Sequence, residues 1–154
     1  MKSCFFIGHR EVSENIASLL SESIERHITE LGVTEFIVGG YGAFDRIVAH
    51  QLAVAKELHP EINIMLLTPY HPSERKIRLP EGFELTYYPP GMENVPKRLA
   101  IVRANRYMIE HSDYLIAYVW QAAGNARELF EYAQKLENKG RIKIENLACK
   151  FNMV

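Results

Sequence analysis

The sequence predicts a three-layer α/β/α domain around a mostly parallel five-stranded sheet, and three observations predict it. Short apolar runs alternate along the chain with longer stretches of helical period. Glycine or proline follows almost every run. The length of 154 residues, with 47% apolar and 24% charged residues, fits one ordinary globular domain. A continuous apolar run reads as a strand buried on both faces, and regular strand–helix alternation implies a parallel sheet covered on both sides.

The elements follow in order. Ser3 to Gly8 (SCFFIG) is the first strand. Ser13 offers an N-cap to a helix whose apolar stripe is Ile16, Leu20, Ile24, Ile28 and Leu31, closed by Gly32. Glu35 to Val38 is the second strand. Phe44, Val48, Leu52, Ala55 and Leu58 form the next stripe, stopped by Pro60. Ile62 to Leu67 is the third strand. Residues 69–96 hold six of the seven prolines and read as a long irregular segment, the kind of loop that usually carries function. A helix begins around Asn94-Val95-Pro96 and runs to about His111. Tyr114 to Trp120 is the fourth strand. Ala126, Leu129, Phe130, Ala133 and Leu136 form the last stripe, closed by Gly140, and Ile142 to Leu147 is a weaker fifth strand. Residues 1–148 are thus one domain and 149–154 a frayed tail. The architecture is Rossmann-like, with expected sheet order 3-2-1-4-5. Right-handed crossovers bring every strand's carboxyl end to one edge, where open sheets of this kind bind ligands.

Composition narrows the function. The formal net charge of −1 gives no bulk attraction to nucleic acid or to acidic membranes, so nucleic acid is a less favoured partner than a small molecule. Cys4 and Cys149 form neither a CxxC pair nor a disulfide framework, and Cys4 reads as a small buried hydrophobe. The chain has neither a signal-peptide pattern nor an apolar run near the roughly 20 residues that span a bilayer, so the expected location is the cytoplasm, with no membrane partner. The six histidines lack metal-ligand spacing, so no metal and no cofactor are expected. A homo-oligomer is compatible with the sequence, which does not specify one.

The residues after the strands carry the chemistry. They are Gly8-His9-Arg10, then Gly39-Gly40-Tyr41-Gly42-Ala43-Phe44-Asp45, then Thr68-Pro69-Tyr70-His71, and then Gln121 to Glu128, which contains Gly124 and Asn125. Glycine lets a backbone approach a phosphate, and a helix N-terminus presents free N–H groups to it. Each feature alone also fits an ordinary tight turn. Together they predict one anion-binding crevice. Trp120, ending the fourth strand, is placed to stack on a base or to cover the core. Arg103 and Arg106, three apart on a helix, are spaced to clamp a phosphate or to form a solvated basic face.

The layout resembles the SLOG superfamily, which includes the DNA-processing protein A group and the Lonely Guy phosphoribohydrolases. It is most similar to small bacterial members of uncharacterised function, over residues 2 to about 148. Phe6-Ile7-Gly8-His9-Arg10 is similar to their strand-one signature. Gly39 to Asp45 resembles the GGxxGxD turn, with its last glycine one residue early. Gly124-Asn125-Ala126-Arg127-Glu128 resembles the GTxxE motif, with Asn125 in the threonine place and Ala122 and Ala123 near where two glycines stand. Those hydrolases also carry an arginine four residues before a methionine and nine before an aspartate. Met108 and Asp113 keep that spacing, but position 104 is alanine, flanked by Arg103 and Arg106.

Two readings follow from the resemblance. In the first, the carboxyl edge binds a nucleotide or nucleotide derivative and hydrolyses its N-glycosidic bond. Glu128 is then the carboxylate that stabilises the oxocarbenium-like state, and Asp45 holds a ribose hydroxyl or the water. Gly8, His9, Arg10, Gly39, Gly40, Tyr41, Gly42, Tyr70, His71, Arg103, Arg106, Trp120, Gly124 and Asn125 form the ligand site. In the second, the same site serves a non-catalytic module that senses a nucleotide or binds single-stranded DNA.

Overall fold

The computed structural model describes residues 1–12 and 15–151. Ser13, the expected cap of the first helix, lies outside the described residues. The elements are β1 (Lys2–Gly8), α1 (Ile16–Thr29), β2 (Val33–Val38), α2 (Ala43–Leu58), β3 (Asn63–Leu67), β4 (Leu85–Tyr87), α3 (Ala100–His111), β5 (Tyr114–Tyr118), α4 (Asn125–Asn138), β6 (Lys143–Asn146) and a short α5 (Ala148–Phe151). One sheet runs β4-β3-β2-β1-β5-β6, and every neighbouring pair is parallel.

The α/β/α layering agrees with the sequence reading, and the strand count does not. A sixth strand, β4, lies inside the proline-rich segment and extends the expected order by one position at its edge. Its three residues are too few to show a period. It pairs Leu85, Thr86 and Tyr87 with Met65, Leu66 and Leu67 of β3. Thr68 fastens its end: the backbone N–H donates to the Tyr87 carbonyl at 2.8 Å. The helix expected from Asn94 also starts later. Met92–Asn94 and Lys97–Leu99 are 3₁₀ turns, the second following Pro96, and regular α-helix begins at Ala100. β5 stops at Tyr118, so Trp120 lies beyond it in the turn.

The alternation in β1 explains the layers. Cys4 and Phe6 point into a core shared with α1 and α2, while Phe5 and Ile7 point into a second core shared with α3 and α4. Phe5, Phe6, Phe36, Leu115 and Ile116 are all within 2% of complete burial, and each contributes about 1.5–3 kcal/mol of hydrophobic stabilisation. Cys4 is fully buried and unpaired, as is expected of a small hydrophobe, and burial raises its thiol well above the usual range. Among the described residues, no helix is long and apolar enough to cross a membrane.

Strand order reverses at β1. On one side lie β2, β3 and β4, and on the other β5 and β6, which places a crevice at the carboxyl end of β1. Gly8 closes the base of that crevice. A Cβ built on it would meet the Phe44 ring of α2 at 2.4 Å, so only glycine lets the strand lie on the first turn of the helix. Gly8→Ala should therefore lower stability by about 1–3 kcal/mol, as overpacking does. Its denaturation midpoint checks this, and Phe44→Leu in the same chain should return part of the loss.

Candidate functional site

A cleft of about 390 Å³ opens at the carboxyl edge where β1, β2 and β5 end. Its walls come from the turns after these strands, from the first turn of α4 and from one face of α3. Gly8, His9, Arg10, Gly39, Tyr41, Asp45, Gly124 and Asn125 line it. Eight of the residues expected at a site thus meet in one place, drawn from three separate strand ends.

The backbone conformations of the two helix starts are alike. Gly42 caps α2 with φ 121° and ψ 173°, and Gly124 caps α4 with φ 107° and ψ 174°. Both lie in a region open essentially to glycine alone. Their surroundings differ. At Gly42 a Cβ would meet the Cα of Arg10 at 3.1 Å, and the Ala43 N–H donates to the Arg10 carbonyl at 2.9 Å. The β1 loop therefore fills the N-terminus of α2, and Gly42 holds Arg10 rather than lining the cleft. At Gly124 no described residue lies within 4 Å of a Cβ position. Among the described residues none packs on this cap, and Gly124 and Asn125 at the N-terminus of α4 line the cleft.

His9 fixes the turn that leads to α4. Its ring is buried, and Nε2 accepts the backbone N–H groups of Trp120 at 3.0 Å and Gln121 at 3.2 Å. A nitrogen that accepts twice carries no proton, so the neutral ring bears its hydrogen on Nδ1. Burial first, and the positive charge of Arg127 second, lower its pKa and keep it neutral. Among the described residues, Arg10 is therefore the one permanent cation lining the cleft. Glu11 also lines it.

Asp45 occupies the first turn of α2, and its carboxylate accepts the Tyr41 N–H at 3.1 Å. Although part of the residue reaches solvent, its carboxyl sits deep enough that burial raises its pKa to about 6, against the opposing pull of that hydrogen bond.

Other expected residues stand elsewhere. Gly40 and Tyr70 line a larger neighbouring groove. The Tyr70 hydroxyl donates to the Lys97 carbonyl at 3.4 Å. His71 does not line the cleft. Its Nδ1 takes the Ser73 backbone N–H at 3.1 Å, closing its own turn. Trp120 is 56% exposed beside His9, with ring centroids 5.5 Å apart, outside the cleft lining.

The arginine pair and the carboxylate carried over from the hydrolases are not in the cleft. The face of α3 that meets it is Ile101, Ala104 and Asn105, at i, i+3 and i+4. Arg103 and Arg106 are exposed on other faces, and the Arg106 guanidinium lies 5.2 Å from the Tyr132 ring centroid. Position 104, where the hydrolases keep their arginine, does face the cleft, and here it is a fully buried alanine. Glu128 is exposed in the first turn of α4, while Asn125, Ala126 and Leu129 form that helix's cleft wall. Asn105 and Glu11 line the cleft without having been singled out from the sequence, and Gln121, which opens the segment after the fourth strand, lines it too. The helical period through Ala104 marks Asn105. Nothing in the sequence marks Glu11.

No family model matches the chain, and no curated protein matches it. Among solved structures it is similar to DNA processing protein A from Helicobacter pylori, described for its single-stranded DNA binding mode. The TM-score is 0.54 at 16% identity, over 97% of this chain and 78% of that one. At that identity the likeness establishes the Rossmann-like fold.

The raised Asp45 pKa makes a signed prediction. The folded protein takes up a proton near pH 6, whereas an unfolded aspartate waits until about pH 3.9. The carboxylate therefore destabilises the fold above pH 6, and acidification toward pH 4 relieves this. Asp45→Asn, which still accepts the Tyr41 N–H, should melt higher than the wild type at pH 7.5. The gap should close by about pH 4, and melting curves across that range test it.

Proposed function

We propose that the cleft binds the phosphate-bearing unit of a nucleotide, free or within a single strand of nucleic acid, and does not cleave it. One observation carries this reading: an open helix N-terminus at Gly124 and the cation of Arg10 face the same crevice at the point where strand order reverses. The backbone N–H groups at the start of α4 supply donors for phosphate oxygens. Arg10, braced against Gly42, supplies the charge. His9 keeps the 120–125 turn in register so that the donors converge. The volume of about 390 Å³ suits a mononucleotide-sized group.

The residues argue against hydrolysis. An N-glycosidase needs a carboxylate beside the forming oxocarbenium ion and a cation on the 5′-phosphate. Glu128 is outside the cleft lining, and alanine stands at position 104. Asp45 keeps its carboxyl bonded to the Tyr41 N–H, and burial raises its pKa to about 6, so it holds its charge less firmly than an electrostatic stabiliser of a cation needs. The fold likeness to a protein described for binding single-stranded DNA supports a strand as the larger ligand.

Calorimetric titration with nucleoside monophosphates and the matching nucleosides tests the reading. The monophosphate should bind and the nucleoside should bind far more weakly, with no free base released on long incubation. Arg10→Ala should weaken the monophosphate by about tenfold to a hundredfold, the worth of a charge-assisted hydrogen bond. Arg103→Ala and Arg106→Ala should leave it unchanged. Equal affinity for nucleoside and monophosphate would overturn the phosphate assignment, and release of base would restore the hydrolase.

A further inference from the structure

No helix joins β3 to β4. The chain from Pro69 to Gly82 instead straps across α2. Ile77 and Leu79 pack against the core beneath α1 and α2, and a Cβ on Gly82 would lie 2.9 Å from the Cβ of Ala53. Between strap and helix runs a groove of about 940 Å³, more than twice the volume of the phosphate cleft. It follows α2 from Arg46 in the first turn to Lys56 in the last, a distance of about 15 Å at the helical rise.

Its charge is mostly positive. Arg46 lines it from α2, and Arg75, Lys76 and Arg78 from the strap. Arg46, Lys76 and Arg78 make no salt bridge or side-chain hydrogen bond among the described residues. Opposing them are Asp45, raised to a pKa of about 6, and Glu57 and Glu81. Lys56 is already committed, donating to the Pro60 carbonyl at 2.7 Å. The groove is continuous with the cleft, because Gly39, Tyr41, Asp45, Leu67 and Pro69 line both. Tyr41 is 41% exposed at that junction. Tyr70 lies farther in, with the Arg75 guanidinium 4.2 Å from its ring centroid.

We infer that the groove continues the track that starts in the cleft: a single strand with one phosphate at Gly124 passes over Tyr41 and lies between α2 and the strap. There Arg46 and Arg78, on opposite walls, take backbone phosphates, and the tyrosine rings offer faces for bases. The inference rests on the reading of the cleft. Unpaired cations on facing walls fit a chain of phosphates, and aromatic rings at the junction fit bases. An acidic peptide would use the cations but not the continuity with the phosphate cleft.

The experiment compares dTMP with an oligothymidylate of about ten nucleotides, within the usual span of single-strand sites, on the full chain and on Arg46→Ala/Arg78→Ala. The wild type should bind the oligomer more tightly than dTMP. The double variant should lose about tenfold or more for the oligomer, keep its dTMP affinity, and lower the salt dependence by about 1.4 in log–log slope for two contacts. Unchanged oligomer affinity, or equal losses for both ligands, would overturn the groove assignment. So would a wild type that binds dTMP but gains nothing from the longer strand. Polyglutamate that displaces the oligomer from the groove without disturbing dTMP would give it to an acidic protein instead. A wild type that binds neither nucleotide probe sinks the reading of the cleft together with the track.

Discussion

The close approach of β1 to the start of α2 is the constraint from which the site follows. Gly8 lies on the Phe44 ring, Gly42 lies on the Arg10 backbone, and the Ala43 N–H closes onto the Arg10 carbonyl. Two absent side chains and one hydrogen bond thus dock the end of the central strand onto a helix. The docking turns the β1 loop toward β5, where His9 reaches the turn before α4. If β1 stood away from α2, Arg10 and His9 would lose the positions from which they shape the cleft.

The same docking explains why two glycine-capped helix starts with one backbone conformation differ in what they do. The first is plugged by the protein's own chain and stiffens the scaffold. The second is left open. A glycine-rich turn is therefore ambiguous in itself. What decides its role is whether another segment already occupies the space above it, and that is a tertiary property. The GGYG turn carries more glycines than the turn at Gly124, yet the poorer turn faces the vacancy.

Much of the layering was legible in the sequence because long elements repeat their signal. The stripe from Phe44 to Ala55 recurs often enough to fix a helix, and the unbroken apolar run of β1 fixes a doubly buried strand. β4 was not legible, because Leu85, Thr86 and Tyr87 owe their conformation to the β3 backbone rather than to a pattern of their own. At the site, strand-end position identified Gly8, His9, Arg10, Gly39, Tyr41, Asp45, Gly124 and Asn125 as neighbours. It failed for Arg103, Arg106 and Glu128, where the question was which way a helix face points. A rotation of one residue, about 100°, separates Arg103 from the cleft-facing Ala104. His71 follows its strand as expected, Trp120 lies just past the strand it was expected to end, and both spend their rings on local contacts.

Trp120 is the only tryptophan of the chain. Its backbone N–H is tied to His9, and its indole stands edge-on to that imidazole with one side in water. The protein thus carries its own fluorophore at the hinge of the turn that opens onto the cleft. Protonation of His9, or any shift of the 120–125 segment, alters the field and the hydration around the indole. Intrinsic emission therefore reads the state of this turn without a label, in a molecule where no second indole blurs the signal.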